Sequence, residues 1–367
     1  MAYTTPRTWA DETIVNADDL NVEIRDNVSA LYSMAAYPSR NMLYNGAMQF
    51  AQRSSSVPSI TTSGYYTADR WQSVIGTLGT WTQSVENDAP NSSGIRKSLK
   101  MLCTTAKATP LTTDAAYIQQ QLEGQDVQRI AKGTSNAQTI TLSFWVKSNV
   151  VGTYICGLYD LSNTRIISRS YTISSSATWE QKFITFSADT SGVLNNDNAA
   201  ALIARFYLAV GPSLSSGTLQ TTWGTDVLAN SAVGQTNLAS AINNYWQVTG
   251  IQMETGSVAT PYEFLSYGDE LRRCQRYYET SGLNVLSVIA WSGSNDSASW
   301  YPFVTSKRAA PVLSGGGSYN GGVSGTFTLP TNATAFLNGF YVSQNVAASS
   351  GKCSVGYGIN WTASAEL

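Results

Sequence analysis

The side chains that most often carry enzyme chemistry are missing or badly spaced in this sequence. Histidine is absent, which excludes Ser-His-Asp and Cys-His relays and the usual mixed zinc sites. Carboxylate pairs such as Asp160 and Glu180 occur in any chain with 24 acidic residues, so they do not indicate a glycosidase. The glycine-rich run 315–322 lacks the Gly-Lys-Ser/Thr ending of a phosphate-binding loop. We therefore expect a protein that is not an enzyme.

Aromatic rings near amide or carboxylate side chains suit a different task, the binding of a sugar. A pyranose stacks its C–H groups on a flat ring, while Asn, Asp or Gln hydrogen-bonds its hydroxyls. Trp145 lies out of phase with the apolar face of its strand, and Trp223 and Asp226 lie in a long polar segment. Near the C-terminus the candidates are Trp300 and Tyr319, the latter within the glycine-rich run. The alternative for Trp145 is packing against a second layer or a subunit interface.

Charge and hydropathy exclude several other partners. Only 13% of the residues are charged, the net charge is −2, and no Lys/Arg cluster is present, so nucleic acid is a poor partner. No segment approaches the roughly 18 consecutive apolar residues of a membrane span, and the first residues do not resemble a signal peptide. We expect synthesis into a cytoplasm and no membrane insertion. The four cysteines lack metal-ligand spacing, so we predict no metal site formed by them.

An amphipathic helix is predicted over residues 17–35. Asn16 is its expected N-cap, and apolar or seam residues recur at spacings of four and three. A helix this short is marginal alone in water, so it needs partners. We predict a coiled-coil-like seam that joins copies of the chain, the alternative being a lone helix that packs on the next domain. The seam consists of Leu20, Ile24, Asn27, Leu31 and Met34.

Short β segments separated by Gly, Asn and Ser follow from residue 41 to about 265. Residues 139–147 alternate cleanly, with Ile140, Leu142, Phe144 and Val146 on one face and Trp145 on the other. Many strands without intervening amphipathic helices predict an antiparallel sandwich or jelly roll. Residues 211–244 read as an elaborated loop with a short helix near 238–242. The other named strands are 153–159, 166–173, 180–186, 202–210 and 245–254.

The remaining sequence predicts a second, smaller β unit. A helix at about 268–280 connects it to the sandwich, with Leu271, Cys274 and Tyr278 on one face. The glycine-rich run 315–322 is predicted to be a flexible surface loop. The fold class is therefore mainly β: a short N-terminal helix, an antiparallel β-sandwich jelly roll, a connector helix and a small C-terminal β domain. The domain bounds are 1–40, 41–265, 266–280 and 281–367.

Several sequence blocks resemble proteins of tailed-bacteriophage particles. Residues 8–12 (TWADE), 16–21 (NADDLN) and 24–27 (IRDN) resemble the opening of many tail and fiber proteins. Further blocks look like the carbohydrate-binding-module-like jelly rolls of phage structural proteins, and residues 267–279 resemble the usual end of that module. Residues 303–311 match the terminal domains of tail fibers only loosely. The jelly-roll blocks are residues 41–53, 66–71, 143–147, 246–254 and 260–264.

The resemblance implies a virion protein exposed on the particle exterior after assembly in the bacterial cytoplasm. It implies a homotrimer whose N-terminal segment binds other virion proteins, and a tail fiber whose distal domain contacts host surface polysaccharide. The alternative is a purely structural virion protein, such as a head fiber, capsid decoration or baseplate adaptor, that binds no glycan. Jelly rolls of this kind often hold a structural calcium ion. The densest oxygen cluster, residues 195–198, lacks spaced acidic ligands, and we assign no cofactor.

Overall fold

A computed structural model describes residues 14, 16–28, 39–281, 286–290, 297–320, 326–329, 333–344 and 354–367. These residues divide into two compact units, Met1–Leu265 and Ser266–Leu367. The fold is mainly β, with antiparallel strand pairings in both units, so the predicted fold class is confirmed. In the part of the chain that the structure describes, no helix is long and apolar enough to cross a membrane.

The N-terminal helix begins where the sequence predicts. Helix α1 (Ala17–Leu20) is capped by Asn16, whose side chain accepts a hydrogen bond from the main-chain N–H of Asp19 at 2.9 Å, and it continues as a π-helix over Asn21–Asp26. Leu20 and Ile24 of the predicted seam are 47% and 57% exposed, whereas Asn27 is buried at 4%. Leu31 and Met34, the other two seam residues, lie outside the described residues.

The first unit is a two-sheet sandwich. Its six-stranded sheet has the spatial order β1 (Ser56–Ile60), β4 (Thr80–Glu86), β5 (Ser98–Thr105), β13 (Tyr245–Thr255), β7 (Ile140–Ser148), β10 (Glu180–Phe186). Its seven-stranded sheet has the order β12 (Gly224–Thr225), β9 (Arg165–Ile173), β8 (Gly152–Asp160), β11 (Ala200–Val210), β6 (Ala115–Glu123), β3 (Gln72–Gly76), β2 (Gly64–Tyr65). All six strand segments named from the sequence are strands here.

The period-two pattern of each strand decides which side chains enter the core. Ile140, Leu142, Phe144 and Val146 of β7 are buried, and alternate residues of β11 meet them from the other sheet. Phe144 and Phe206 contact edge to face with ring centroids 5.1 Å apart. The core thus fills the space between the sheets, and each sheet keeps an outer face.

The long segment between β11 and β13 is a loop with little regular structure, as predicted. It contains helix α2 (Pro212–Ser215), strand β12 and two 3₁₀ turns, Leu228–Asn230 and Leu238–Ser240. The second turn stands where a short helix was expected. The loop runs over part of the outer face of the seven-stranded sheet, where Ala232 packs with Ile155 and Tyr207.

The second unit begins with helix α3 (Tyr267–Gln275) and strand β14 (Tyr278–Thr280). One sheet pairs β14, β21 (Ser354–Ser364), β17 (Val312–Asn320) and β18 (Thr326–Leu329), with β15 (Leu286–Ala290) also on β21. The other pairs β16 (Ser297–Pro302), β20 (Gly339–Gln344) and β19 (Ala333–Ala335). Buried Phe303, Phe340 and Trp361 form the centre of its core.

Two sequence predictions in this unit are wrong. The connector helix ends at Gln275 and not near 280, because residues 278–280 pair with 362–364 of β21 as a strand. Residues 315–320 of the glycine-rich run form part of β17 and not a surface loop. They lie between β21 and β18, and main-chain pairing on both sides overrides the low strand propensity of glycine.

Candidate ligand-binding surfaces

The outer face of the seven-stranded sheet carries a row of polar side chains. The register aligns Gln72 of β3 with Gln119 of β6, and Gln119 with Arg205 of β11. Gln119 Nε2 donates to Gln72 Oε1 at 2.7 Å, and Arg205 Nε donates to Gln119 Oε1 at 3.1 Å. Gln121, two residues further along β6, donates to the same Gln72 oxygen at 3.3 Å. These bonds fix the side chains as a ladder across three strands.

Two tyrosine rings flank the end of this ladder. The guanidinium carbon of Arg205 lies 4.5 Å from the ring centroid of Tyr159 and 5.4 Å from that of Tyr117. Arg205, Tyr117 and Tyr159 are all half-buried, so their edges meet solvent while their packing limits movement. The cation–π contacts hold the guanidinium plane in place, so its donors are presented in a fixed direction.

Asp226 adds an acceptor within electrostatic range of Arg205. Its main-chain N–H donates to the carbonyl of Thr164 at 2.9 Å, which fixes the loop next to the sheet edge. Among the described residues its buried Oδ1 has no hydrogen-bond partner. Burial raises the pKa of the Asp226 carboxyl above its ordinary value, and the charge of Arg205 only partly offsets this. A buried acceptor without a donor costs about 1–3 kcal/mol, which a ligand hydroxyl would offset.

We call this surface the Arg205 face; it consists of Gln72, Tyr117, Gln119, Gln121, Tyr159, Arg205 and Asp226. It combines rings, amide groups, guanidinium donors and one unsatisfied carboxylate oxygen. Of these residues only Asp226 was predicted from the sequence. The run Gln119-Gln120-Gln121 within a strand was the available signal, because its alternate members must share a face.

Trp145 and Trp223 do not join the Arg205 face. Trp145 lies on the outer face of the six-stranded sheet, on the other side of the sandwich, and packs beside Gly250. Trp223 Nε1 donates to the carbonyl of Ser187 at 2.9 Å, and the ring also packs on the hydrophobic core. The Trp223 ring therefore covers the interior of the sandwich.

Beneath Trp223 lies a buried ammonium group in a cage of oxygens, which we call the Lys132 cage. Lys132 Nζ is 5.0 Å from the Trp223 ring centroid and 2.5 Å and 2.9 Å from carboxylate oxygens of Asp160 and Asp189. It also donates to the carbonyls of Ser191 and Gly192 at 2.9 Å and 3.0 Å. Carboxylates and carbonyls are calcium ligands, but here a lysine occupies their centre.

Within the described residues, no group of three or more His, Cys, Asp or Glu side chains is placed so that it could hold a metal ion. The predicted oxygen cluster at 195–198 lies in an irregular segment in which at least two acceptors already have donors. The carbonyl of Asn195 accepts from Gln128 Nε2, and Asp197 Oδ1 accepts from the N–H of Ala199.

The second unit carries a different surface, the Trp300 platform, which consists of Trp300, Phe336, Leu337, Asn338 and Tyr341. These residues line a shallow groove of about 410 Å³. Trp300 and Tyr341 stand opposite each other on β16 and β20, with ring centroids 4.8 Å apart. Trp300, Phe336 and Tyr341 are 41%, 46% and 45% exposed. Of the platform residues, only Trp300 was predicted from the sequence as a sugar-binding candidate. The other candidate in this unit was Tyr319, and its main chain lies in β17, in the other sheet.

Comparison with known proteins gives similarity to solved structures alone, because no family model and no curated protein matches this chain. The enzymatically active domain of bacteriophage CBA120 tailspike protein 4 is 14% identical, with a TM-score of 0.33 over 60% of this chain and 22% of that one. The module TmCBM61, solved with β-1,4-galactotriose, is 9% identical, with a TM-score of 0.31 over 59% and 100%. The family 11 carbohydrate-binding module of Clostridium thermocellum is 13% identical, with a TM-score of 0.29 over 55% and 96%. Similarity at this level transfers no ligand and no binding residue to this chain.

Proposed function

We propose that this chain is a bacteriophage virion fiber protein that binds host surface glycan through the Arg205 face. The observation that carries the proposal is the arrangement of Tyr117 and Tyr159 around Arg205, whose charge also acts on the Asp226 carboxyl. A saccharide has a complementary group for each of these side chains. Its C–H faces can stack on the tyrosine rings, and its hydroxyls can accept from Arg205 and donate to Asp226. The absence of histidine supports binding without catalysis. The sequence blocks that resemble phage tail proteins support the virion role.

The test compares the full-length protein with single variants in binding to a glycan array of bacterial surface polysaccharides. We expect Tyr159→Ala to lower affinity about threefold to tenfold, because one aromatic contact is worth about 0.5–1.5 kcal/mol. Arg205→Lys keeps the charge but loses the planar fork of donors, and it should weaken binding similarly. Phe183→Ala is the matched control, because Phe183 is an exposed ring on the six-stranded sheet.

Unchanged affinity in both Arg205-face variants would refute this site. A wild-type protein that binds neither the array nor host cells would favour the alternative function, a structural virion protein such as a head fiber, capsid decoration or baseplate adaptor.

We further propose that the chain forms a homotrimer through its N-terminal helix and attaches to other virion proteins through residues 1–40. Leu20 and Ile24 support this, since both present apolar side chains to solvent in the single chain. A monodisperse monomer by light scattering at micromolar concentration would contradict the oligomer. Truncated protein lacking residues 1–40 on virions at normal copy number would contradict the attachment role.

A further inference from the structure

The Trp300 platform owes its shape to strand alternation in the three-stranded sheet. Tyr301 and Phe340 lie on the inner face, where their rings stack with centroids 5.3 Å apart in the core. Their neighbours Trp300 and Tyr341 therefore point outward together, directly opposite each other across the two strands. An exposed aromatic pair of this kind gains little from burial, so core packing does not explain it.

The platform is also held rigid before any ligand arrives. Gly339 lies so close to Trp300 that an added Cβ would stand 2.5 Å from indole Cζ2. The turn that carries Phe336, Leu337 and Asn338 is fixed by main-chain bonds: Phe336 N–H donates to the Gly339 carbonyl at 2.8 Å, and Lys307 N–H donates to the Leu337 carbonyl at 2.7 Å. Ring positions fixed in the free protein reduce the entropy cost of binding.

The chemistry of the groove narrows the class of ligand. Among the described residues its lining contains no charged side chain, so these residues offer no counter-charge to an ionic ligand. The centroids of Trp300, Phe336 and Tyr341 are 4.8–6.0 Å apart, so the rings touch one another and leave no cage for a cation. Asn338 Oδ1 accepts from Ser306 Oγ at 2.8 Å, which makes the amide nitrogen the atom available to a ligand hydroxyl.

The size of the groove argues against a protein partner. Five of the described side chains line it, whereas a stable protein interface uses about 20–30 residues on each side. We propose that the Trp300 platform is a second saccharide site, which stacks the apolar face of one uncharged pyranose unit and donates a hydrogen bond from Asn338. This inference shares the premise of glycan binding with the proposed function, but it assigns a separate site with a different preference.

The experiment measures binding of the full-length protein to an array of neutral and acidic oligosaccharides, then titrates the strongest neutral one. Trp300→Ala should lower affinity for it about tenfold and Trp300→Phe by less, since Phe keeps a smaller ring. Sugar C–H protons should shift upfield in NMR spectra with the wild type and not with Trp300→Ala. Val312→Ala, at an exposed apolar residue outside the groove, is the control.

Arg205→Lys separates this inference from the proposed function. Weaker binding in Arg205→Lys of the glycan whose binding Tyr159→Ala also weakens, with binding of the neutral saccharide intact, supports two sites. Neutral binding that survives Trp300→Ala, or a wild type that binds no neutral saccharide, overturns the second site. A change from oligomer to monomer in Trp300→Ala by sedimentation, with saccharide binding unchanged, would instead assign the platform to self-association.

Discussion

Replacing Lys132 by Met tests the energetics of the oxygen cage on which Trp223 rests. The Lys132, Asp160 and Asp189 side chains are 3%, 0% and 5% exposed, so all three charges are shielded from water. Methionine fills a similar volume but removes the ammonium. Asp189 keeps hydrogen bonds from Arg165 Nε and Nη2 at 2.9 Å and 3.0 Å. Asp160 keeps donors from Asn163 but loses its cation.

The expected loss is therefore that of one broken buried ion pair. Removing one partner of such a pair costs about 3–5 kcal/mol of unfolding free energy. In a unit of this size each kcal/mol lowers the melting temperature by about 2–4 °C, so we expect a decrease of about 6–20 °C. Urea denaturation of the two proteins at pH 7 measures the difference. Lys182→Met is the control, because its partly exposed pair with Glu180 is worth at most about 1 kcal/mol.

The pH dependence has a definite sign. Burial alone would raise the pKa of Asp189, but hydrogen bonds from Arg165 and Lys132 outweigh it and lower that pKa. A lowered carboxyl pKa adds stability above the unfolded value of 3.8, and that stability is lost as the pH falls through the folded value. The difference in unfolding free energy between wild type and Lys132→Met should therefore narrow in acid. A loss below about 1 kcal/mol at pH 7, or a difference in unfolding free energy that does not narrow as the pH falls below 3.8, would refute the reasoning.

Three further predictions concern Asp226, the Lys132 cage, and the tryptophans Trp71 and Trp300. Asp226→Asn should raise the unfolding free energy at pH 7, because the raised pKa of Asp226 makes its charged form unfavourable in the folded state, and it should also weaken glycan binding. In urea denaturation, this increase in unfolding free energy should vanish below pH 3.8. Excess EDTA should leave the melting temperature unchanged, because Lys132 already occupies the oxygen cage, and a decrease in calorimetry would contradict this. Trp71→Ala should cost about 3–5 kcal/mol by opening a cavity at a fully buried ring, whereas Trp300→Ala, at a 41% exposed ring that encloses no cavity, should cost about 1–2 kcal/mol in the same denaturation assay.

Local features were predictable because local pattern decides them. The alternation in residues 139–147 predicted strand β7 and its buried face, since neighbouring side chains of a strand must point to opposite sides. The cap at Asn16 was predictable for the same reason, because it involves residues three positions apart. The sequence offered Trp300 as a candidate sugar-binding residue but not its partners Phe336 and Tyr341, although the alternation around Phe340 places Tyr341 outside.

The glycine-rich run shows where composition misleads. Residues 315–317 have a low intrinsic strand preference, yet neighbouring strands on both sides satisfy their main-chain groups. Trp223 misleads in a similar way: its polar sequence neighbours suggested a surface ring, while Lys132 and Ser187, far away in sequence, hold it against the core.

The sequence by itself therefore determined the β class, most strand positions, the N-terminal cap and the lack of histidine chemistry. Only the tertiary structure decided the candidate ligand-binding surfaces and the Lys132 cage. Gln72, Gln119 and Arg205 become neighbours through the order and register of β3, β6 and β11, and no spacing along the chain encodes that order. Strand pairing is a long-range choice governed by the packing of the whole sandwich, so the residues that meet on its faces emerge only when the fold is complete.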